Sequence, residues 1–110
     1  MMEPEVAYAD YFEIMDMGEA MIKYVIAKVV EKAEDELRFL GEQHGKEQFD
    51  FIKDLANTKF NKIEYRDAIK VLQDAIAAGT KFDNTNVEFG TDLDTDHERY
   101  ISEVHSNGIP

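Results

Sequence analysis

Asp92, Asp94, Asp96 and Glu98 place four carboxylates at alternate positions near the end of this chain. An Asp-x-Asp-x-Asp spacing is how a calcium loop delivers oxygen ligands. Such a loop also needs a turn glycine after its third acid, and His97 stands there instead. The closing bidentate acid is misplaced too: Glu103 is at position 12 from Asp92, well after a helix has begun. Acids at a helix start are ordinary capping and dipole chemistry, and these four fit that pattern. His97 and His105 are eight residues apart and can share a helix face, with Glu98 beside them. They match no recognised metal spacing, nor does His44, so surface histidines on an acidic helix are expected. Glu3 and Glu5 sit two apart, which on a strand puts both on one face. Two carboxylates facing one way can hold an ammonium group or form a solvated strand face. Residue types alone favour the solvated face.

Composition narrows the classes further. The 110 residues suffice for one domain of ordinary size. Hydrophobic residues make up 44%, enough for a packed core. Twelve basic side chains stand against 24 acidic ones, a formal net charge of −12. That argues against an extended phosphate-gripping surface, which needs clustered Lys and Arg. An acidic chain can still belong to a larger nucleic-acid-binding protein whose basic surface lies elsewhere. There is no cysteine, which excludes disulfides, thiolate nucleophiles and Cys-ligated zinc. The six glycines are scattered, so no phosphate-cradling glycine loop is present. No apolar run approaches the ~20 residues that span a bilayer, and no signal-peptide layout opens the chain. A cytoplasmic protein is expected. Both ends read as cut: the opening is extended without a cap, and Gly108-Ile109-Pro110 leads toward another element.

The elements that must position these groups follow from periodicity. Residues 5 to 12, with Val6, Tyr8, Tyr11 and Phe12, predict a short strand and turn. Asp16 with Glu19 three residues on predicts a capping box. Ile22, Ile26, Val29, Ala33, Leu37 and Leu40 then predict one helix face roughly six turns long. Gly41 and Gly45 bracket its stop. A second helix is predicted near Glu47 to Thr58, with Phe49, Ile52 and Leu55 inward. Phe60 to Tyr65 reads as an extended connector. A third helix covers Asp67 to Ala78, with Ile69, Leu72 and Ile76 on one face and Gly79 as its stop. Residues 81 to 89 are polar and turn-rich, and Phe89 to Leu93 reads as a strand end or turn. Thr95 and Glu98 predict a second capping box, opening a short helix through about His105 with Tyr100, Ile101 and Val104 inward. The three helices over residues 16–79 pack most simply as a small helical subdomain.

Two segments carry a resemblance. Phe89-Gly90-Thr91-Asp92-Leu93-Asp94-Thr95-Asp96-His97-Glu98-Arg99-Tyr100-Ile101-Ser102-Glu103 resembles the aromatic-Gly-x-Asp-Leu…His-Glu-Arg-Tyr-Leu-x-Glu stretch of asparaginyl-tRNA synthetases. The aspartyl enzymes carry a looser version. Met2-Glu3-Pro4-Glu5-Val6-Ala7-Tyr8-Ala9-Asp10 is similar to the family's Ile-Glu-Pro-Glu-Met-Ala-Phe-Ala-Asp run, the trailing strand of class II motif 2. Glu19 to Val25 and Tyr65 to Ile69 also fit, in order, so the resemblance covers essentially the whole chain.

The resemblance implies an α+β parent, an antiparallel-sheet class II core, of which this chain is a mainly α-helical piece with short flanking strands. Residues 1–15 would be the end of the motif 2 strand, 16–79 a helical insertion, and 80–110 the return to the core. It implies activation of asparagine with ATP and magnesium, then transfer to tRNA. By position, Glu3 would hold the substrate α-amino group, a role that suits a carboxylate. Glu5, Asp92, Glu98 and Arg99 would support the pocket, and Arg99 fits a structural ion pair equally. Motif 1, the motif 2 arginine and motif 3 have no match here, so the chain alone is expected to be inactive and to bind neither ATP nor magnesium. Self-association through apolar surface is expected. A non-catalytic interaction module derived from the family and an ammonia-dependent asparagine synthetase paralogue are the alternatives. Aspartyl specificity fits the His97-Glu98-Arg99-Tyr100 segment less well.

Overall fold

The computed structural model describes residues 1–110, and the order of its elements is helical throughout. Five α-helices form: α1 (Tyr11–Lys32), α2 (Glu34–His44), α3 (Lys46–Leu55), α4 (Tyr65–Ala77) and α5 (Thr95–Tyr100). The last runs into a π-helical turn over Ile101–His105. There is no β-strand, which corrects the expected flanking strands. The reason is local: an extended segment needs a neighbour to complete its ladder, and none of these segments has one. The chain divides into two units, residues 1–59 and residues 60–110.

The first unit opens earlier into helix than the residues suggested. Tyr8 takes φ 62° and turns the chain, and Asp10 then caps α1. Its Oδ1 accepts from the Glu13 N–H at 2.8 Å, satisfying one of the orphan donors of a helix start. The expected strand over 5–12 is therefore replaced by coil and the first turn of α1. Asp16, expected as the cap, lies inside α1, and Glu19 pairs with Lys23 at 2.9 Å.

The predicted six-turn helix is broken at Ala33, whose φ −130° and ψ 35° are not helical. No Gly or Pro marks the place. Instead Glu34, Asp35 and Glu36 follow at once, and the break puts all three in the first turn of α2. Carboxylates are favoured there by the helix dipole. Glu34 also takes Arg38 at 2.7 Å. The turn from α2 to α3 uses Gly45 at φ 116°, a conformation open essentially to glycine alone. It folds α3 back onto α2, so that a Cβ on Gly41 would stand 3.3 Å from Phe49 Cβ. Gly41 and Phe49 are the buried residues of this unit, and α1 has none. Ile22, Val25 and Val29 on α1, and Phe39 and Leu40 on α2, are exposed.

The second unit owns the core. From α4 come Ala68, Ile69, Leu72 and Ala75, at the spacing of one helix face. Leu72 is wholly buried, and Ile69 and Val87 join it. Phe82, Leu93, Tyr100 and Ile101 pack around them. The third helix thus lies where its period put it, and Gly79 follows it at φ 98°. The connector before α4 has neither helix nor strand, and its Asn61 N–H donates to the Pro110 carbonyl at 2.7 Å. No helix is long and apolar enough to cross a membrane.

Candidate functional site

The N-terminal carboxylates sit on coil. Glu3 and Glu5 are exposed in the segment before Asp10, without the strand that would have aligned them on one face. They belong to the first unit. Asp92, Glu98 and Arg99 belong to the second and are exposed as well. Arg99 Nε approaches Glu103 Oε1 at 3.8 Å, an exposed i,i+4 pair of small energetic weight.

His97 overturns the expectation of a surface histidine. It is 1% exposed, packed against Phe82 and hydrogen-bonded to Asp94 and Asn84, and α5 starts one residue earlier than the sequence suggested. The cap is Asp94 rather than Thr95, and His97 takes the capping-box position where Glu or Gln is usual. Its Nδ1 accepts from the Asp94 N–H at 3.0 Å, and its Nε2 donates to the Asn84 carbonyl at 2.8 Å. Those two partners define the neutral tautomer with its proton on Nε2. The ring meets Phe82 edge-on at 5.0 Å, and Phe82 meets Tyr100 in turn at 5.5 Å. One buried imidazole thus ties the 82–84 turn to the start of α5. The signal was present as Asp-x-x-His, but its decisive partner, Asn84, lies 13 residues upstream.

Asp94, Asp96 and His97 each bring a donor atom within 4.8 Å of the others. Both His97 nitrogens are already committed, so a cation could recruit the ring only by breaking the cap or the Asn84 bond. Asp96 has a structural task too. Its Oδ2 accepts from the Asp83 N–H at 2.9 Å and its Oδ1 from the His97 N–H at 3.0 Å. The Asp83 N–H is the main reason its carboxyl lies below the ordinary 3.8; desolvation opposes, and His97 adds to the lowering. With the folded value below the unfolded one, this tether contributes stability above about pH 4 and loses it as pH falls through the folded value. The Asp83 amide resonance is expected to move in that acid range. Asp96→Asn should abolish the movement, and a titration unchanged in that variant would disprove the tether.

A third feature was not legible beforehand. The Tyr65 hydroxyl, at the start of α4, accepts from the Gly90 N–H at 2.8 Å and donates to the Thr91 carbonyl at 2.6 Å. Thr91 Oγ1 donates to the Glu88 carbonyl and accepts from the Glu88 N–H. The Phe89-Gly90-Thr91 turn, with Gly90 at φ 104°, is therefore pinned to α4. This pinned turn leads into Asp92 and α5, within residues 89–103, one of the two segments that carry the resemblance.

That segment also falls inside the decisive comparison. The family model for class II tRNA synthetases (D, K and N) matches residues 1–108. The chain belongs to this class II tRNA synthetase family. The curated relatives of this class II synthetase chain include asparagine–tRNA ligases from distant organisms. That of Ureaplasma parvum serovar 3 is 39% identical over 108 residues, 98% of this chain and 24% of the relative. That of Mesoplasma florum is 44% identical over 103 residues, 94% of this chain and 23% of the relative. The cytoplasmic asparagine–tRNA ligase 1 of Arabidopsis thaliana is 40% identical over 104 residues, 94% of this chain and 18% of the relative. The synthetase chain spans about a quarter or less of the length of these relatives. No solved structure is significantly similar to it.

Proposed function

We propose that the chain is part of an asparagine–tRNA ligase, which activates asparagine with ATP and transfers it to tRNA in protein biosynthesis. The observation that carries this is near-complete coverage at 39–44% identity by asparagine–tRNA ligases of mycoplasmas and a plant. Residues 1–15 end the motif 2 strand of the parent, 16–79 form its helical insertion, and 80–110 return to its core. An extended course for residues 2–10 then depends on a neighbouring strand of the parent sheet, as strand ladders require. Within that setting Glu3 holds the asparagine α-amino group, and Glu5, Asp92, Glu98 and Arg99 support the pocket. ATP and magnesium serve the parent, in the cytoplasm. The rest of the catalytic domain covers the apolar face of α1, and without that cover the chain self-associates.

By itself the chain is inactive. Catalysis in this chemistry is positioning and charge neutralisation of phosphate, and the family's arginines for it have no match in residues 1–110. The purified chain should give no asparagine-dependent ATP–pyrophosphate exchange. A chimera should: these residues, grafted in place of the matching segment of the Mesoplasma florum enzyme, should still charge tRNA with asparagine. An inert but folded chimera, or one that charges aspartate instead, would refute the assignment.

A further inference from the structure

Tyr65 opens α4 one turn before the buried Ile69, so its place is fixed by the core of the second unit. Its hydroxyl reaches residues 25 and 26 positions further on, accepting from the Gly90 N–H at 2.8 Å and donating to the Thr91 carbonyl at 2.6 Å. A peptide unit is planar, so these two bonds orient the 89–90 and 91–92 planes. The second plane carries the backbone nitrogen of Asp92. Gly90 between them holds φ 104°, and Thr91 Oγ1 closes the turn by accepting from the Glu88 N–H at 3.0 Å. The Phe89 ring lies 5.4 Å from that of Tyr65, and the Arg66 guanidinium, next on α4, stands 5.7 Å from the Phe89 centroid. Asp92 is tied downstream as well: Leu93 packs against the core, and Asp94 caps α5 with its N–H on His97 Nδ1. The Asp92 backbone is thus held on both sides, while its carboxylate is exposed and enters no ion pair. The fold fixes where this charge stands without using it.

We infer that Tyr65 is a positioning residue for the amino-acid pocket: its hydroxyl orients the Thr91–Asp92 peptide plane and so holds the Asp92 carboxylate at the bound asparagine. This rests on the ligase reading, in which Asp92 supports that pocket. The task needs a donor and an acceptor on one atom at the end of a rigid ring, and a phenol has both. Tyr65→Phe keeps the ring against Phe89 and removes both bonds. The freed Gly90 N–H and Thr91 carbonyl are not buried and can hydrate, so little stability is lost. What is lost is the fixed plane, and Gly90 regains the backbone freedom of glycine. A carboxylate spread over several positions binds asparagine less well in the ground state and the transition state alike. KM should then change while kcat does not. A tyrosine that merely stapled the turn to α4 would affect melting and leave KM alone.

The test is asparagine-dependent ATP–pyrophosphate exchange in the Mesoplasma florum chimera. Tyr65→Phe should raise KM for asparagine about fivefold, with kcat, KM for ATP and the melting temperature nearly unchanged. Asp92→Asn should raise KM for asparagine as well. The double variant should be no worse than Asp92→Asn alone, because the two residues act as one unit. In the 110-residue chain, Tyr65→Phe should speed exchange of the Gly90 amide and leave the Leu72 and His97 resonances in place. An unchanged KM for asparagine in Tyr65→Phe would overturn the inference and leave the ligase reading standing. Additive losses in the double variant would overturn it too, since Tyr65 would then act by a route that bypasses Asp92. So would equal rises in KM for asparagine and ATP with a lowered melting temperature, the mark of a loosened unit. An unsubstituted chimera that folds but gives no exchange would refute the ligase reading and this inference with it.

Discussion

His97→Ala should cost the second unit about 3 kcal/mol, from two unsatisfied partners and the cavity left against Phe82. The Asp94 N–H would lose its acceptor and the Asn84 carbonyl its donor. The loss is large for a unit this small, since cores of that size rarely supply more than about 3–5 kcal/mol. His97→Asn can keep an acceptor near the Nδ1 position, and His97→Gln can keep a donor near Nε2. Both should therefore fall between wild type and His97→Ala. Hydrogen exchange over residues 82–105 separates this local effect from melting of the first unit. Protection in His97→Ala within about 0.5 kcal/mol of wild type would refute the histidine's central place.

The second large effect concerns chemistry. In the Mesoplasma florum chimera, Glu3→Gln is expected to lower kcat/KM for asparagine about a hundredfold. Glutamine keeps the size of the side chain and its carbonyl acceptor but loses the charge that an ammonium group needs. Charge-assisted hydrogen bonds are worth about 1.5–3 kcal/mol, which corresponds to roughly ten- to two-hundredfold. Melting should not change, because Glu3 is exposed and lies outside every helix. Glu5→Gln, a neighbour rather than a ligand, should cost far less. Equal losses for the two variants would place the amino-group contact elsewhere.

The exposed face of α1 and the pinned second unit show how differently two parts of one chain can depend on their surroundings. In residues 60–110, α4 supplies an apolar face that Val87, Phe82 and Tyr100 complete from the same unit. In residues 1–59 the apolar positions of α1 and α2 follow the helical period, yet most remain exposed. A helix with its stripe open is stabilised mainly by propensity and capping, which are weak compared with tertiary burial.

Periodicity located α3 and α4 because apolar spacing acts over a few residues, with Gly79 as the stop of α4, and the two segments at 2–10 and 89–103 carried the family. The strand at 5–12 was misread because alternation states only a preference, and pairing needs a second strand. The break at Ala33 left no mark, since alanine is the best helix former and the acids after it act only through the new helix start. What the sequence determined by itself was family membership and the whereabouts of helices, both written in short-range patterns. Tertiary structure alone decided that His97 is inside, that Tyr65 holds Gly90 and Thr91, and that Arg66 stands over Phe89. Each of those depends on partners brought from 13 to 26 residues away, and no local pattern encodes that meeting.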